Sequence, residues 1–392
     1  MRSFISKKAE NIKPSGIRKF FDLASTQKGV ISLGVGEPDF ITPWSIRTAG
    51  VDAIKNGYTQ YTSNKGLKEL REEISAYLLN RFNVDYNSEE ISVTAGASEG
   101  IDLALRATVD YGDEILIPDP SYVSYAPIVE LCGGKAVSVK CEGENGFKLT
   151  KENLEKVINK NTKALVFPYP NNPTGAIMEK EWVDKIVPLI LEKDLLVIAD
   201  EIYAELTYGQ EHYSIASDER LSGRVVLISG FSKSFAMTGW RIGYVSAKGE
   251  LLSAMLKIHQ YASICASTIS QFAALSGLKS GKEDGYIVVK EMRDEYDKRR
   301  NFMVKSFNDM GLTCFEPKGA FYVFPCVKSL NLTGDEFATK LLEEQKVAVV
   351  PGSAFGLFGK DYVRCSYAYS MKSLITALEK ISAFVEQLKK QN

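Results

Sequence analysis

The 392-residue sequence is poor in the side chains that build metal centres and histidine-based catalytic sites. It contains two histidines and six cysteines, and no cysteines are spaced as a C-x-x-C pair. Structural zinc sites and disulfide frameworks need clustered cysteines or histidines, and a serine–histidine–aspartate triad needs a well-placed histidine. We therefore expect no metal, no disulfide framework and no triad of this kind.

The sequence also lacks a surplus of one charge and any long hydrophobic run. Its 48 lysines and arginines nearly balance 49 aspartates and glutamates, which leaves a formal net charge of -1. This balance provides no basic field for nucleic acid, and no stretch is suited to a transmembrane helix or a signal peptide. We expect a cytoplasmic protein with no nucleic-acid partner and no membrane association.

Short apolar runs dominate the middle of the chain. They are found at Glu114–Pro118, Ala136–Val139, Ala164–Phe167, Leu195–Ala199 and Val225–Ile228. Continuous runs of this length are typical of parallel strands that are covered on both faces. They predict a doubly wound α/β domain with its ligand sites at the carboxyl ends of the strands.

The last third of the sequence has a different character. A charge-rich helical pattern runs from about residue 285 to 310, and short strand patterns and a final amphipathic helix follow it. This order predicts a smaller α+β domain, which the N-terminal segment joins. We predict a large domain over residues 43–284 and a small domain made of residues 1–42 and 285–392.

One lysine stands where a solvated side chain is unexpected. Lys233 follows the strand Val225–Ile228, in a turn that also contains serine, phenylalanine, alanine, methionine and tryptophan. Burial disfavours an ammonium group and lowers its pKa, which produces a nucleophilic amine suited to Schiff-base chemistry. Eight residues further on, Arg241 offers a planar, permanently charged group that matches phosphate. The alternative is a surface loop with two solvated cations.

Polar residues follow other predicted strands as well. The strand Ile91–Thr94 leads into the turn Gly96–Gly100, where free N–H groups at a helix start would suit a phosphate, although an ordinary capped turn fits equally well. Asp200 directly follows an apolar strand, so its carboxylate needs a partner such as a pyridinium nitrogen or an arginine. Arg364 lies inside an apolar strand, where a carboxylate ligand is one candidate partner.

A glycine pair near the N-terminus does not complete a dinucleotide site. Gly34 and Gly36 follow a short strand pattern, but Asp39 stands where a third glycine belongs and Pro38 interrupts the helix that should follow. We expect no nicotinamide cofactor here. The glycines instead let the backbone come close to a ligand or to another segment.

These residues, in this order, resemble a known enzyme family along essentially the whole chain. The most specific pieces are Asn172–Gly175, Asp200–Tyr203, Ser232–Gly243, Gly319–Tyr322 and Arg364. They are similar to the class I and II pyridoxal-phosphate aminotransferases of fold type I. The resemblance implies a large domain with a mostly parallel seven-stranded sheet flanked by helices, a smaller α+β domain, and pyridoxal 5'-phosphate as cofactor.

The resemblance implies roles around the ring of this cofactor. Lys233 would hold the cofactor as an internal aldimine and later move a proton from the substrate Cα to C4′. Asp200 would keep the pyridine nitrogen protonated. Tyr203 and Asn172 would hydrogen-bond the phenolic oxygen, and Tyr122 would stack on the ring. Lys233, Asp200 and Tyr203 are thus the implied catalytic residues.

The resemblance also implies a set of phosphate ligands. Arg241, Ser232 and the backbone N–H groups of Ala97 and Ser98 would hold the phosphate. Tyr61 would reach the same group from a neighbouring subunit, which implies a homodimer. Many relatives carry a serine at the position of Gly230, so this chain departs from the family pattern at one possible phosphate contact.

The implied substrate site contains a carboxylate clamp. Arg364 would bind the substrate carboxylate bidentately, with Gly36 and Asn172 beside it. Ile17 would suit an apolar or aromatic side chain. Arg18 could anchor a second carboxylate or lie on a solvated helix face.

The implied activity is a ping-pong transfer of the amino group of an L-amino acid to 2-oxoglutarate. Residues 15–20, 146–150 and 212–216 look most similar to aromatic and N-acetyl-diaminopimelate aminotransferases, and aspartate is a further candidate donor. A carbon–sulfur β-lyase of the same fold would share Lys233, Asp200 and Arg364. A cofactor-sensing regulator would carry a DNA-binding segment, and no basic helix-turn-helix pattern precedes residue 30.

Overall fold

The computed structural model describes residues 4–14, 16–17 and 29–391. Its strands are β1 (Ile31–Ser32), β2 (Ile91–Thr94), β3 (Glu114–Asp119), β4 (Lys135–Lys140), β5 (Thr162–Phe167), β6 (Leu196–Asp200), β7 (Val225–Gly230), β8 (Gly243–Ser246), β9 (Tyr322–Val323), β10 (Val347–Ala348), β11 (Val350–Pro351) and β12 (Val363–Ser366). Its α-helices are α1 (Lys7–Asn11), α2 (Trp44–Lys55), α3 (Lys68–Phe82), α4 (Ala97–Thr108), α5 (Tyr125–Cys132), α6 (Lys151–Glu155), α7 (Lys180–Glu192), α8 (Glu250–Ala262), α9 (Thr268–Asp284), α10 (Ile287–Asp309), α11 (Gly334–Gln345) and α12 (Met371–Gln391). Within this part of the chain, no helix is both long and apolar enough to cross a bilayer.

A seven-stranded sheet has the strand order β2-β8-β7-β6-β5-β3-β4. β8 is antiparallel to both of its neighbours, and all other neighbouring pairs are parallel. Since β2 and β7 both run opposite to β8, they run in the same direction, and β2, β3, β5, β6 and β7 all end at one edge. The predicted sheet, mostly parallel and flanked by helices, is confirmed.

Apolar side chains cover both faces of this sheet. In β5, Ala164 and Val166 pack into one core cluster, whereas Leu165 and Phe167 pack into another. Successive side chains of a strand point to opposite faces, so this alternation places one hydrophobic core on each side. The apolar runs in the sequence are therefore continuous because both faces of the sheet are buried. The sequence did not indicate β8, which has four residues and begins at a glycine.

A further core cluster lies mainly in the C-terminal third. It joins Leu33 to side chains of α10, α11 and α12, among them Met292, Phe337 and Ile381. The three-stranded antiparallel sheet β11-β12-β9 belongs to this part, and β1 pairs with β10. The division into residues 43–284 and residues 1–42 with 285–392 remains our proposal.

Candidate active site

Polar side chains meet in a cavity of about 1360 Å³ at the carboxyl edge of the large sheet. Loops that follow β2, β3, β5, β6 and β7 contribute to it, because strands that run in one direction end at the same edge. The predicted site residues that line the cavity are Ile17, Gly36, Ala97, Ser98, Tyr122, Asn172, Asp200, Tyr203, Ser232, Lys233, Arg241 and Arg364.

The amine of Lys233 is a desolvated nucleophile in this cavity. Its Nζ donates a hydrogen bond of 2.7 Å to the carbonyl oxygen of Gly36 and lies 5.7 Å from the ring centroid of Tyr203. Burial lowers the pKa of Lys233 from its usual 10.5 to about 8, with the charge of Glu37 opposing this shift and that of Arg364 reinforcing it. The neutral amine is therefore much more populated near neutral pH than it is in an ordinary lysine.

Asp200 presents a buried carboxylate at the end of β6. One oxygen accepts a hydrogen bond of 2.7 Å from the hydroxyl of Tyr125, and the other accepts one of 3.2 Å from the N–H of Ile202. Burial raises the pKa of Asp200 to about 6, although these hydrogen bonds oppose the shift. The carboxylate forms no ion pair with any residue that the structure describes, so the arginine partner considered from the sequence is not present there.

The start of α4 and the side chain of Arg241 form one end of the cavity. Gly96 precedes the helix with a φ of 85°, and a Cβ there would lie 2.6 Å from Nη2 of Arg241. The positive φ favours a glycine at this position, and a larger residue would also displace the guanidinium of Arg241. Ala97 and Ser98 then present N–H groups in the first helical turn, where no acceptor within the helix is available. Arg241 is held by the carbonyl oxygen of Thr238 at 2.9 Å.

Arg364 is a buried cation held in a fixed orientation. Its side chain is 2% exposed and lies between two aromatic rings, 4.4 Å from the centroid of Tyr322 and 4.8 Å from that of Phe355. It donates hydrogen bonds to Oδ1 of Asn172 at 2.9 Å and to the carbonyl oxygen of Gly34. Its Nε has no hydrogen-bond partner among the described residues. A buried guanidinium with an unused donor is suited to an anionic ligand.

Several residues of the cavity had no role in the sequence analysis. Tyr125 contacts Asp200, the hydroxyl of Tyr322 lies 2.9 Å from that of Tyr203, and Glu37 lines the cavity near Lys233. Tyr322 belongs to the Gly319–Tyr322 motif, which was a signal in the sequence. Tyr125 and Glu37 lie next to predicted site segments, but only their three-dimensional contacts distinguish them from their neighbours.

One predicted site residue lies outside the cavity. Tyr61 is 78% exposed and is not among the lining residues of this chain. This position agrees with an approach from a second subunit but does not test it. Arg18 lies outside the described residues.

Comparison with known proteins assigns the family. A family model for class I and II aminotransferases matches residues 28–381. YugH of Bacillus subtilis, provisionally named as an aminotransferase, is 50% identical over 99% of this chain and 100% of its own length. An aspartate aminotransferase of Pyrococcus abyssi is 44% identical, with 98% of this chain and 99% of the relative covered. This chain belongs to the class I and II aminotransferases.

Solved structures agree with this membership. The structure of an aromatic aminotransferase from Pyrococcus horikoshii matches this aminotransferase with a TM-score of 0.90 at 42% identity, over 95% of this chain and 99% of that chain. Enzymes of this family act on amino acids and 2-oxo acids and depend on pyridoxal phosphate. The predicted family, fold class and enzyme class are therefore confirmed.

The cavity of this aminotransferase fits pyridoxal phosphate in charge and in the placement of donors. The Asp200 carboxylate, which lacks a cationic partner among the described residues, matches a protonated pyridine nitrogen. The N–H groups of Ala97 and Ser98 and the guanidinium of Arg241 match a phosphate. Lys233 lines the same cavity with an amine of lowered pKa, as a bond to an aldehyde requires.

We predict that Lys233 reacts at a lower pH than an ordinary lysine. The neutral amine is the nucleophile, so reductive methylation of Lys233 in cofactor-free protein should rise through a midpoint near pH 8, where burial places its pKa. Brief labelling across a pH series, followed by peptide mass spectrometry, measures the modified fraction.

The control is the same lysine in urea-unfolded protein, where the midpoint should return towards the ordinary value of 10.5. Equal midpoints in folded and unfolded protein would contradict the effect of burial.

Proposed function

We propose that this aminotransferase moves the amino group of an aromatic or related L-amino acid to 2-oxoglutarate by a ping-pong mechanism, with aspartate and N-acetyl-diaminopimelate as further candidate donors. The observation that carries the proposal is a single cavity that joins the low-pKa amine of Lys233 to the buried Asp200 carboxylate. Relatives named as aspartate and aromatic aminotransferases support this range of donors.

Pyridoxal phosphate, when bound, supplies an aldehyde for the amino group and a ring that withdraws electrons from the substrate Cα. In our proposal, Nζ of Lys233 would hold the cofactor through its aldehyde group. The neutral Nζ would also be the base that accepts the proton from the substrate Cα. Both tasks need a neutral amine, and the burial of Lys233 lowers the pKa enough to provide one.

The residues around Lys233 would hold the ring in place. Asp200 would pair with the protonated ring nitrogen, and such a cation would lower the raised pKa of this carboxyl. The hydroxyl of Tyr125 would keep the Asp200 carboxylate oriented. Tyr203 and Asn172 would donate hydrogen bonds to the phenolic oxygen, while Tyr122 would stack on the ring.

The phosphate would lie at the start of α4. Arg241, Ser232 and the N–H groups of Ala97 and Ser98 would bind its oxygens, since a helix N-terminus and a guanidinium both favour an anion. Tyr61 of a second subunit would add a hydroxyl.

The substrate carboxylate would bind at Arg364. This guanidinium is already held between Tyr322 and Phe355, so little conformational freedom would be lost when a carboxylate binds. Gly36 and Asn172 would lie beside the carboxylate. Ile17 would line the side-chain pocket, and this apolar contact supports an aromatic or otherwise apolar substrate.

An exposed apolar surface supports a homodimer. Trp44 is 71% exposed and Val51 is 48% exposed, and their separation of seven residues places them on one face of α2. Ile41, Ile54 and Tyr61 are also exposed in the same region of the sequence. Apolar surface of this kind marks an interface between proteins. A cytoplasmic location is proposed from composition alone.

The two half-reactions can be measured separately. Wild-type enzyme loaded with pyridoxal phosphate should lose the visible absorbance of the bound cofactor when mixed with phenylalanine or tyrosine and no acceptor. Addition of 2-oxoglutarate should restore it. Lys233→Ala should bind the cofactor but slow the first half-reaction by at least about a hundredfold, within the usual contribution of a positioned base.

Aspartate, alanine, methionine and N-acetyl-diaminopimelate complete the donor series. Reaction with aspartate alone would contradict the aromatic preference. Unchanged turnover in Lys233→Ala, or pyruvate release from cystathionine without any acceptor, would contradict the proposed reaction.

Substitution of Arg364 should weaken substrate binding more than cofactor binding. We expect Arg364→Gln to raise KM for both the amino acid and the 2-oxo acid by about tenfold to a hundredfold, because a charge-assisted pair to the carboxylate is lost. The matched control is Arg300→Gln, which removes another buried arginine that pairs with Asp297 and Glu316. Equal KM changes in both variants would argue against a carboxylate clamp.

Removal of the Tyr61 hydroxyl tests whether a second subunit contributes to the phosphate site. We expect Tyr61→Phe to weaken binding of pyridoxal phosphate by about tenfold, the effect of one lost hydrogen bond to a charged group, and light scattering should give the mass of a dimer. Tyr111→Phe is the control, because Tyr111 is 96% exposed and has no proposed role. A monomer, or an unchanged affinity in Tyr61→Phe, would contradict the proposal.

A further inference from the structure

Both histidines of the sequence form buried pairs with glutamates, and one of these pairs lies behind the start of α4. His259, on α8, is fully buried, and its Nδ1 lies 2.8 Å from Oε1 of Glu99. An ionised carboxylate only accepts hydrogen bonds, so Nδ1 carries the proton. Nε2 of His259 has no partner within the described ranges, which leaves Glu99 as the group that holds this ring.

Glu99 connects this histidine to the turn Ala95–Ser98, which we call the phosphate turn. Glu99 is the third residue of α4, and its Oε2 accepts a short hydrogen bond from the N–H of Ala95. The carbonyl oxygen of Ala95 in turn lies 3.5 Å from Nη2 of Arg241. The peptide groups of Ala95 are thus held by Glu99 on one side and contacted by Arg241 on the other.

The orientation of the phosphate turn depends on these contacts. Gly96 has a positive φ, and a glycine has few conformational restrictions of its own, so its neighbours determine the direction of the turn. Glu99 holds the N–H of Ala95, the residue before Gly96, whereas Ala97 and Ser98 after Gly96 line the cavity and carry N–H groups of the first helical turn. Loss of the Glu99 contact would therefore remove one restraint on this turn, which the buried hydroxyl of Thr94 also holds through the carbonyl oxygen of Gly96.

A glutamate near a proposed phosphate site is unexpected, because both groups are negatively charged. A free carboxylate would repel the phosphate, yet the Glu99 side chain is only 15% exposed and is directed to His259 and Ala95. Burial raises the pKa of Glu99, but the hydrogen bonds from His259 and Ala95 outweigh this effect and lower it. Each carboxylate oxygen thus accepts a hydrogen bond, Oε1 from Nδ1 of His259 and Oε2 from the N–H of Ala95.

We propose that Glu99 and His259 are positioning residues that hold the phosphate turn in the geometry that binds the cofactor phosphate. This inference rests on the proposed function, because it assumes that the phosphate lies at the start of α4. The alternative is a purely structural contact between α4 and α8. A structural contact would affect folding stability, whereas a positioning pair affects the binding of the phosphate group in particular.

A comparison of pyridoxal, which lacks the phosphate, with pyridoxal 5'-phosphate distinguishes these two roles. Dissociation constants of pyridoxal 5'-phosphate and of pyridoxal are measured with cofactor-free full-length protein by quenching of tryptophan fluorescence. We expect His259→Leu to reduce the ratio of the two affinities by about tenfold, the equivalent of one charge-assisted hydrogen bond, while pyridoxal affinity changes little. Inorganic phosphate should also compete less well with the cofactor in this variant.

Further variants control for folding. His259→Asn should recover most of the wild-type ratio, because its amide nitrogen can replace Nδ1. His212→Leu breaks the other buried pair, in which Nε2 of His212 lies 2.9 Å from Oε2 of Glu201, and should keep the wild-type ratio. If His259→Leu does not fold, Glu99→Gln, which keeps the size of the side chain but weakens both contacts, should show the same phosphate-specific loss.

The outcomes distinguish this inference from the proposed function. A wild-type protein that binds pyridoxal and its phosphate equally would contradict the phosphate site and the inference together. A strong wild-type preference for the phosphate that persists in the folded His259→Leu or Glu99→Gln variant would overturn the inference alone. An equal loss of the ratio in His212→Leu would also overturn it, because a general loss of packing would then explain the effect.

Discussion

The antiparallel placement of β8 is the constraint on which the geometry of the site depends. β8 lies between β2 and β7 and runs opposite to both, so the carboxyl end of β2 reaches the same edge of the sheet as the carboxyl end of β7. Close packing makes this possible, because a Cβ at Gly243 in β8 would lie 2.7 Å from the nitrogen of Ala97. The start of α4 and the Lys233 segment share one cavity for this reason.

Burial acts in opposite directions on the two ionisable groups at the centre of the cavity. It lowers the pKa of Lys233 to about 8 and raises that of Asp200 to about 6, because a low-polarity environment disfavours either charge. The same loss of water thus gives a more nucleophilic amine and a carboxyl that gains from a cationic neighbour. Both properties suit a pyridine ring that carries an aldehyde.

The sequence alone indicated those proposed site residues that are charged but stand in an apolar segment. Lys233, Asp200 and Arg364 are charged residues in or next to apolar strands, so each could be proposed as a site residue without a structure. Tyr125 could not, since a tyrosine in a turn resembles ordinary packing and its contact with Asp200 joins residues 75 positions apart. The Glu99–His259 pair was missed for the same reason, because it depends on how α8 packs against α4. Likewise, the seven-stranded sheet was expected, but strand β8 was not recognised, because it begins at a glycine and directly continues the Ser232–Gly243 motif.

The segment Gly34–Gly36 contacts two of the side chains that we propose to bind ligands. Its carbonyl oxygens accept hydrogen bonds from Arg364 and from Lys233, the groups that we propose to bind the substrate carboxylate and the cofactor aldehyde. These buried donors are therefore partly satisfied by backbone, which reduces the free-energy cost of keeping them away from water. A carboxylate at Arg364 or an aldehyde at Lys233 would therefore compete with the main chain of this segment for the same side chains.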